Sequence, residues 1–360
     1  MSFDPNFRIS ASISKALVAI ERHKTAIEHL PISTSMIASL RESARLMSTH
    51  YSTQIEGNRL SPREVEIVVG GKAIGTPGRE RDELEVRNYF RALEHVEDLA
   101  RRNEQVSEQG LQRIHGLAFG GCDHATPYRD GQNVIRDSSS GRIVYMPPEH
   151  TDVPRLMSEF VDWMIRILES RELPVAIIAA ISHYQFATIH PYYDGNGRTA
   201  RLLTTWILHL AGYGLGGIYS LEEYYAKDLP SYYAALDVCD HHNYYMGRAD
   251  VDITRFIEYF VNGMATSFES VHDHAVRTAG SPDHSDKLRL LSPLQRHALA
   301  LFRDQAEVAS KDLAKHLGIS PRSSTDLCRS WTEDGFLVII NPSRKARTYG
   351  LHAQWEELII

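Results

Sequence analysis

The chain has 360 residues, enough for two or three domains with a sizeable core. Its 42% hydrophobic and 24% charged content is ordinary for a globular protein, and a net charge of -7 offers no general attraction to nucleic acid or an anionic membrane. No apolar run reaches membrane-spanning length and the Met1-Ser-Phe-Asp start lacks a basic, apolar leader, so no membrane partner and a cytoplasmic location are expected. Cys122, Cys239 and Cys328 are odd in number and widely spaced, which argues against a disulfide framework and against a zinc site. The histidines, His241 and His242 among them, show no ligand spacing.

In chain order, residues 1–30 contain an amphipathic helix able to pack on the core or on a second copy of the chain, making a homodimer a candidate assembly. The first region, residues 1–106, continues as helices joined by a Gly-Pro-rich loop at residues 70–78. Within it, residues 39–55 have helical apolar spacing, Gly57 suits a C-terminal cap, and Ser61-Pro62-x-Glu64 starts the next helix as a capping box. Residues 107–277 follow as a second region. Val134-Ile-Arg136 and Arg142-Ile-Val-Tyr-Met146, separated by a polar turn around Ser138 to Gly141 and closed by Pro147-Pro148, read as a short hairpin. Residues 173–189 are apolar and Ala-rich and read as a buried helix, which Pro191 ends because proline lacks an N–H and disfavours helix in the residue before it. A second helix spans residues 198–210, with Leu202, Leu203, Trp206, Ile207 and Leu210 at helical spacing. Residues 278–290 read as a polar linker, and residues 291–360 as a small separate domain.

The chemistry concentrates in twelve consecutive residues, His190-Pro-Tyr-Tyr-Asp194-Gly-Asn196-Gly-Arg198-Thr-Ala-Arg201. His190 lies at a helix exit. The Gly195-Asn196-Gly197 turn lets the backbone approach closely and turn its N–H groups inward as an anion-binding nest. The next helix begins there, and its unsatisfied donors and partial positive charge suit a phosphate. Arg198 and Arg201, three apart, add charge-assisted bonds from one face. Asp194 would repel a phosphate directly, so its sensible role is to hold a divalent cation that bridges phosphates, for which magnesium is suited. Eight such residues at fixed offsets, at roughly 5% per type, arise by chance in a chain this long with a probability on the order of 10⁻⁸.

The run resembles the Fic motif, His-Pro-Phe-x-Asp/Glu-Gly-Asn-Gly-Arg-x-x-Arg, with Tyr192 where the family has Phe. The ring is kept, and a hydroxyl is added that needs a partner if buried. The resemblance implies a mainly α fold: a Fic-type helical core with a short β-hairpin flap. It also implies transfer of AMP from ATP to a Ser, Thr or Tyr hydroxyl of a target protein. Carried over by position, His190 is the general base, Asp194 binds Mg2+, and Gly195, Asn196 and Gly197 line the anion hole. Arg198, Thr199, Ala200 and Arg201 complete the ATP-binding run, the two arginines holding the outer phosphates. In Fic proteins a hairpin at this place aligns the target segment, and Tyr233, in Ser231-Tyr-Tyr-Ala-Ala-Leu, matches a tyrosine that contacts adenosine.

Ser52-Thr-Gln-Ile-Glu56-Gly57-Asn58 resembles the Ser/Thr-x-x-x-Glu-Gly/Asn inhibitory motif of self-restrained Fic proteins. The resemblance implies that Glu56 pairs with Arg201 and blocks the productive pose of the ATP γ-phosphate, which makes Glu56 part of the nucleotide site.

Beyond residue 290, a helix over 293–302, a second over 310–317, Gly318-Ile-Ser-Pro321, and a third over 322–332 resemble a helix-turn-helix. Residues 336–340, the basic Arg344-Lys345-x-Arg347 tip and residues 348–351 look like two strands and a wing, so a small C-terminal winged helix-turn-helix-like domain is expected. Arg322 and Arg329 stand against Asp326, Glu333 and Asp334, a balance that favours an interaction or regulatory role over DNA binding. Two function classes therefore compete: a protein adenylyltransferase held down by Glu56, and a DNA-binding regulator using a Fic-like core as a nucleotide sensor. An intact His190 favours the enzyme, since a sensor needs no base.

Overall fold

The computed structural model describes residues 3–30, 34–136, 140–239, 241–278, 285–343 and 346–359. The fold is mainly helical. From the N-terminus run α1 (Ala11–His29), α2 (Thr34–Ile55), α3 (Pro62–Val69), α4 (Glu80–Arg101) and α5 (Glu108–His115), the last continuing into a single π-helical turn, Gly116–Gly120. A two-stranded antiparallel hairpin follows, β1 (Ile135–Arg136) with β2 (Ile143–Tyr145). Next come α6 (Val153–Ser170), α7 (Val175–Ile189), α8 (Asn196–Leu210), α9 (Leu221–Lys227), α10 (Leu229–Leu236) and α11 (Thr254–Thr278). The remainder is α12 (Ser285–Leu290), α13 (Pro293–Asp304), β3 (Val308–Ala309), α14 (Ser310–Leu317), α15 (Pro321–Glu333), β4 (Leu337–Asn341) and β5 (Thr348–Leu351). The last three strands form an antiparallel sheet in the order β3-β5-β4. No helix among the described residues is long and apolar enough to cross a membrane.

Local chemistry explains the boundaries. Ser61 caps α3 as read from sequence: its hydroxyl accepts from the Glu64 N–H, the Glu64 carboxylate accepts from the Ser61 N–H at 2.7 Å, and Pro62 occupies the first turn. Gly57 takes φ +91, a conformation that costs a side-chain-bearing residue and that glycine adopts freely. Helix α7 starts after Pro174, and α8 starts at Asn196, two residues before the expected Arg198.

The chain forms two compact units. One comprises residues 1–24, 87–215 and 228–269, the other residues 25–86, 216–227 and 270–360. In the first, α7 is apolar around its whole circumference and almost wholly buried, which makes it the central helix, with α6 and α8 packed against it. Trp206 of α8 is fully buried, and its indole N–H donates to the Glu104 carbonyl at 3.1 Å.

The second unit joins residues 25–86 to residues 270–360, which composition assigned to different regions. Met36, Leu46, Met47 and Tyr51 of α2, with Leu60, Val65 and Val68, share one core with Leu294, Leu299, Leu313, Leu317, Leu327, Trp331 and Phe336. The Tyr51 hydroxyl donates to the Leu317 carbonyl at 2.9 Å, and the Leu294 N–H donates to Glu66 at 3.0 Å. Composition marks a polar linker but not which apolar faces meet. Of that linker, residues 279–284 lie outside the described residues and 285–290 form α12. Likewise Asp137 to Ser139 of the hairpin turn, and Arg344 and Lys345 of the basic tip, lie outside them.

This core sets an expectation for truncation. A chain ending at residue 278 strips the partners from at least seven buried apolar side chains, each worth about 1.5–3 kcal/mol. The sum rivals the roughly 5–15 kcal/mol that holds a whole domain together. The truncated chain should therefore lose amide-exchange protection in α2 and α3 and aggregate; full native protection there would contradict the shared core.

Candidate active site

Helix α7 ends where Pro191 forbids its continuation, and His190 closes it in the left-handed conformation, φ 53 and ψ 58, with its N–H donating to the Phe186 carbonyl at 3.0 Å. A non-glycine residue there is uncommon and strained, and such strain gathers at functional positions. His190 Nδ1 lies 3.2 Å from the Ala187 carbonyl, which can only accept, so Nδ1 carries the proton and the basic lone pair of the neutral ring sits on Nε2.

Between α7 and α8 the loop is held from within. Asn196 is buried, and its amide is committed to the Tyr192 backbone, accepting from the N–H at 3.0 Å and donating to the carbonyl at 2.8 Å. Of the three expected turn residues only Gly195 has positive φ, +79, while Asn196 and Gly197 open α8. The expected glycine nest is therefore a helix N-terminus entered through one left-handed glycine, and Asn196 contributes its main chain rather than its amide. Thr199 and Ala200 are buried in the first turns, Thr199 Oγ1 donating to the Gly195 carbonyl at 2.9 Å.

Arg198 and Arg201 are each only 2% exposed. The Arg198 Nη2 lies 3.4 Å from Asp194 Oδ1, and its Nε and Nη1 are buried with no hydrogen-bond partner. Leaving charged donors desolvated and unmatched is costly, and the cost is recovered when an anion docks. Asp194 also accepts from the Gly195 N–H at 2.6 Å, and its side chain is half exposed. Among the described residues no cluster of three or more His, Cys, Asp or Glu could hold a metal ion. One part-exposed carboxylate beside an anion site fits magnesium held together with phosphate oxygens and water, and does not fit a dedicated protein cage.

Three further residues, not singled out from sequence, support the loop. His115 stacks on Tyr192 with ring centroids 3.6 Å apart and donates from Nε2 to the Asp194 carbonyl at 2.9 Å. Burial pushes its pKa down to about 4, so the ring is a neutral donor at pH 7. Arg129, also buried, binds main-chain carbonyls of the loop and the hairpin stems. Arg248 lies over the Tyr145 ring at 4.4 Å and donates to the Leu236 carbonyl at 2.8 Å, while the Tyr145 hydroxyl donates to the Thr188 carbonyl at 2.6 Å. The partners are mostly main-chain carbonyls, which leave no pattern in a sequence. The Tyr192 hydroxyl is buried without a hydrogen-bond partner, so the departure from Phe leaves an unmet polar group.

The hairpin presents Ile143 and Val144 to solvent. On α10, Tyr232 is the buried tyrosine, its hydroxyl 2.9 Å from His183 Nε2, whereas Tyr233 is half exposed. Glu56, in the second unit, lies in an exposed turn just beyond α2, its N–H donating to the Thr53 carbonyl at 3.1 Å.

A histidine at one helix exit and paired buried arginines at the next helix N-terminus make an arrangement suited to a phosphate. Residues 105–208 match the Fic/DOC family model, and the chain is similar to known Fic adenylyltransferases. It is 29% identical over 201 residues to the protein adenylyltransferase Fic of Nematostella vectensis, covering 54% of this chain and 44% of the relative. To protein adenylyltransferase fic-1 of Caenorhabditis elegans it is 28% identical over 226 residues, 61% and 42% of the two chains. The chain thus spans less than half the length of these curated relatives. The crystal structure of a Fic family protein from Desulfovibrio desulfuricans superposes with a TM-score of 0.59 at 26% identity, covering 98% of this chain and 99% of that one.

Proposed function

We propose that the chain is a protein adenylyltransferase that moves AMP from ATP to a Ser, Thr or Tyr hydroxyl of a target protein, itself included. The observation that carries the reading is Arg198, buried at the mouth of α8 with two donor atoms unmatched. His190 Nε2 takes the target hydroxyl's proton as its oxygen bonds to the α-phosphorus, and the bond from that phosphorus to the bridging oxygen breaks, releasing pyrophosphate. Gly195 turns the chain so that the main-chain N–H groups of Asn196 and Gly197, with the guanidiniums of Arg198 and Arg201, steady the phosphate oxygens, Thr199 and Ala200 lying within the same ATP-contacting run. Asp194 would hold Mg2+, which when bound neutralises charge on the phosphates. Tyr233 contacts adenosine, and β1 and β2 align the target by main-chain pairing.

The Ser52 to Asn58 motif supports a restraint in which Glu56 pairs with Arg201 and misplaces the γ-phosphate. The β3-β5-β4 sheet beside α14 and α15, with Gly318 at φ +60 between these helices, supports a winged helix-turn-helix. Its balanced charge favours an interaction role over binding DNA.

Incubation with α-labelled ATP and magnesium should leave label on protein, and the Asp194→Ala variant should lose both magnesium-dependent nucleotide affinity and transfer by about tenfold or more, a loss of ~1.4 kcal/mol. Label transferred from γ-labelled but not from α-labelled ATP would make the protein a kinase. Magnesium-independent transfer would remove the role of Asp194.

A further inference from the structure

Arg129 sits between the π-helical turn and β1 and is 4% exposed. Its main-chain N–H donates to the Pro191 carbonyl at 2.9 Å. Its guanidinium spreads over three separate stretches of backbone: Nε donates to the His190 carbonyl at 3.0 Å, Nη1 to the Gly131 carbonyl at 3.0 Å, and Nη2 to the Pro148 carbonyl. Among the described residues it forms no salt bridge, and burial pushes its proton affinity down. A desolvated cation answered only by carbonyl dipoles is a poor device for stability, since apolar packing would cost less. What the arrangement does supply is geometry. Gly131 and Pro148 flank the two strands of the hairpin, and His190 is held in a left-handed conformation that needs restraint from its surroundings. One rigid planar group therefore ties the base to both hairpin stems.

We propose that Arg129 is a positioning residue that fixes His190 relative to the β1–β2 hairpin, so that the base meets a hydroxyl presented there; this rests on the adenylyl-transfer reading above. The fork matters as much as the charge. A lysine carries one point-like ammonium and cannot hold three carbonyls on separate segments in one plane. The Arg129 guanidinium donates to the His190, Gly131 and Pro148 carbonyls and to neither arginine of α8, so nucleotide binding should be spared.

The test uses the full chain carrying Glu56→Gly, with Arg129→Lys and Arg129→Ala added separately, and follows kcat, the KM for ATP and thermal melting. The lysine variant should melt close to its parent and keep its KM for ATP within about twofold. Its kcat should fall ~10–100-fold, the scale on which misplacing a reacting group by about an ångström acts. Millimolar methylguanidinium should restore about tenfold of the alanine variant's lost kcat and do nothing for lysine, a response that a merely structural role would not give. If Arg129→Ala fails to fold, the lysine variant alone decides. An unchanged kcat in Arg129→Lys, or a loss that only follows its folded fraction, would overturn the proposal. An inert Glu56→Gly parent would overturn the adenylyl-transfer reading and this proposal together, whereas an active parent with an equally active lysine variant would overturn this proposal alone.

Discussion

Replacing Glu56 by glycine should raise AMP incorporation about tenfold or more, since releasing a restraint worth even ~1.4 kcal/mol multiplies a rate by ten. The gain requires that Glu56 occupy Arg201, the guanidinium that the γ-phosphate needs, so that ATP binds natively only with its α-phosphorus misaligned. An ordinary glutamate in an exposed turn contributes within about 0.5 kcal/mol, and losing it would leave transfer unchanged. The two cases separate cleanly on labelled AMP incorporation by native and Glu56→Gly proteins. Equal incorporation removes the restraint. Gly57 at φ +91 follows immediately, so a second glycine at 56 loosens the turn as well as removing the charge. Glu56→Gln therefore belongs beside it, and a rise in both variants assigns the effect to the carboxylate.

In the same background, His190→Ala should abolish the gain, lowering kcat by roughly 10²–10⁴-fold as expected for a lost general base. ATP affinity should survive, because the phosphate donors reside on α8 and not on the base. Equilibrium ATP binding together with single-turnover transfer reads both quantities. Comparable transfer by the mutant would reject His190 as the base, and a parallel collapse of ATP affinity would make it a binding residue. Alanine also accepts the left-handed conformation at 190 reluctantly, so Asn, which tolerates it better, is the informative control for loop distortion.

The central features of the site were legible because they depend on local chemistry. Pro191 ends a helix wherever it falls, glycine beside a helix start invites an anion, and two arginines three apart share a face. The same logic placed the Ser61 cap and the strands flanking the hairpin turn. What stayed hidden depends on distant partners. Nothing near Asn196 says that its amide will close on Tyr192, and Arg129 acts through carbonyls that every residue possesses. His115 is one histidine among eighteen until the fold sets its ring on Tyr192. The apolar spacing of α2 promised a buried face but not its neighbour. That neighbour, α13 to α15, lies more than two hundred residues away, and a polar stretch in between suggested independence.

That neighbour governs how the stretch before Glu56 breathes. A helix docked by its end frays from the tip, its last amides exchanging as fast as small openings allow. Helix α2 is different: Tyr51, one turn from its end, is inside the C-terminal core and bonded to Leu317. Unwinding past Tyr51 must withdraw that ring, so opening the end of α2 that far draws on the cohesion of the core it shares with α13 to α15. The last turn of α2, which leads into Glu56, should therefore exchange its amides with the C-terminal core and not as a loop does.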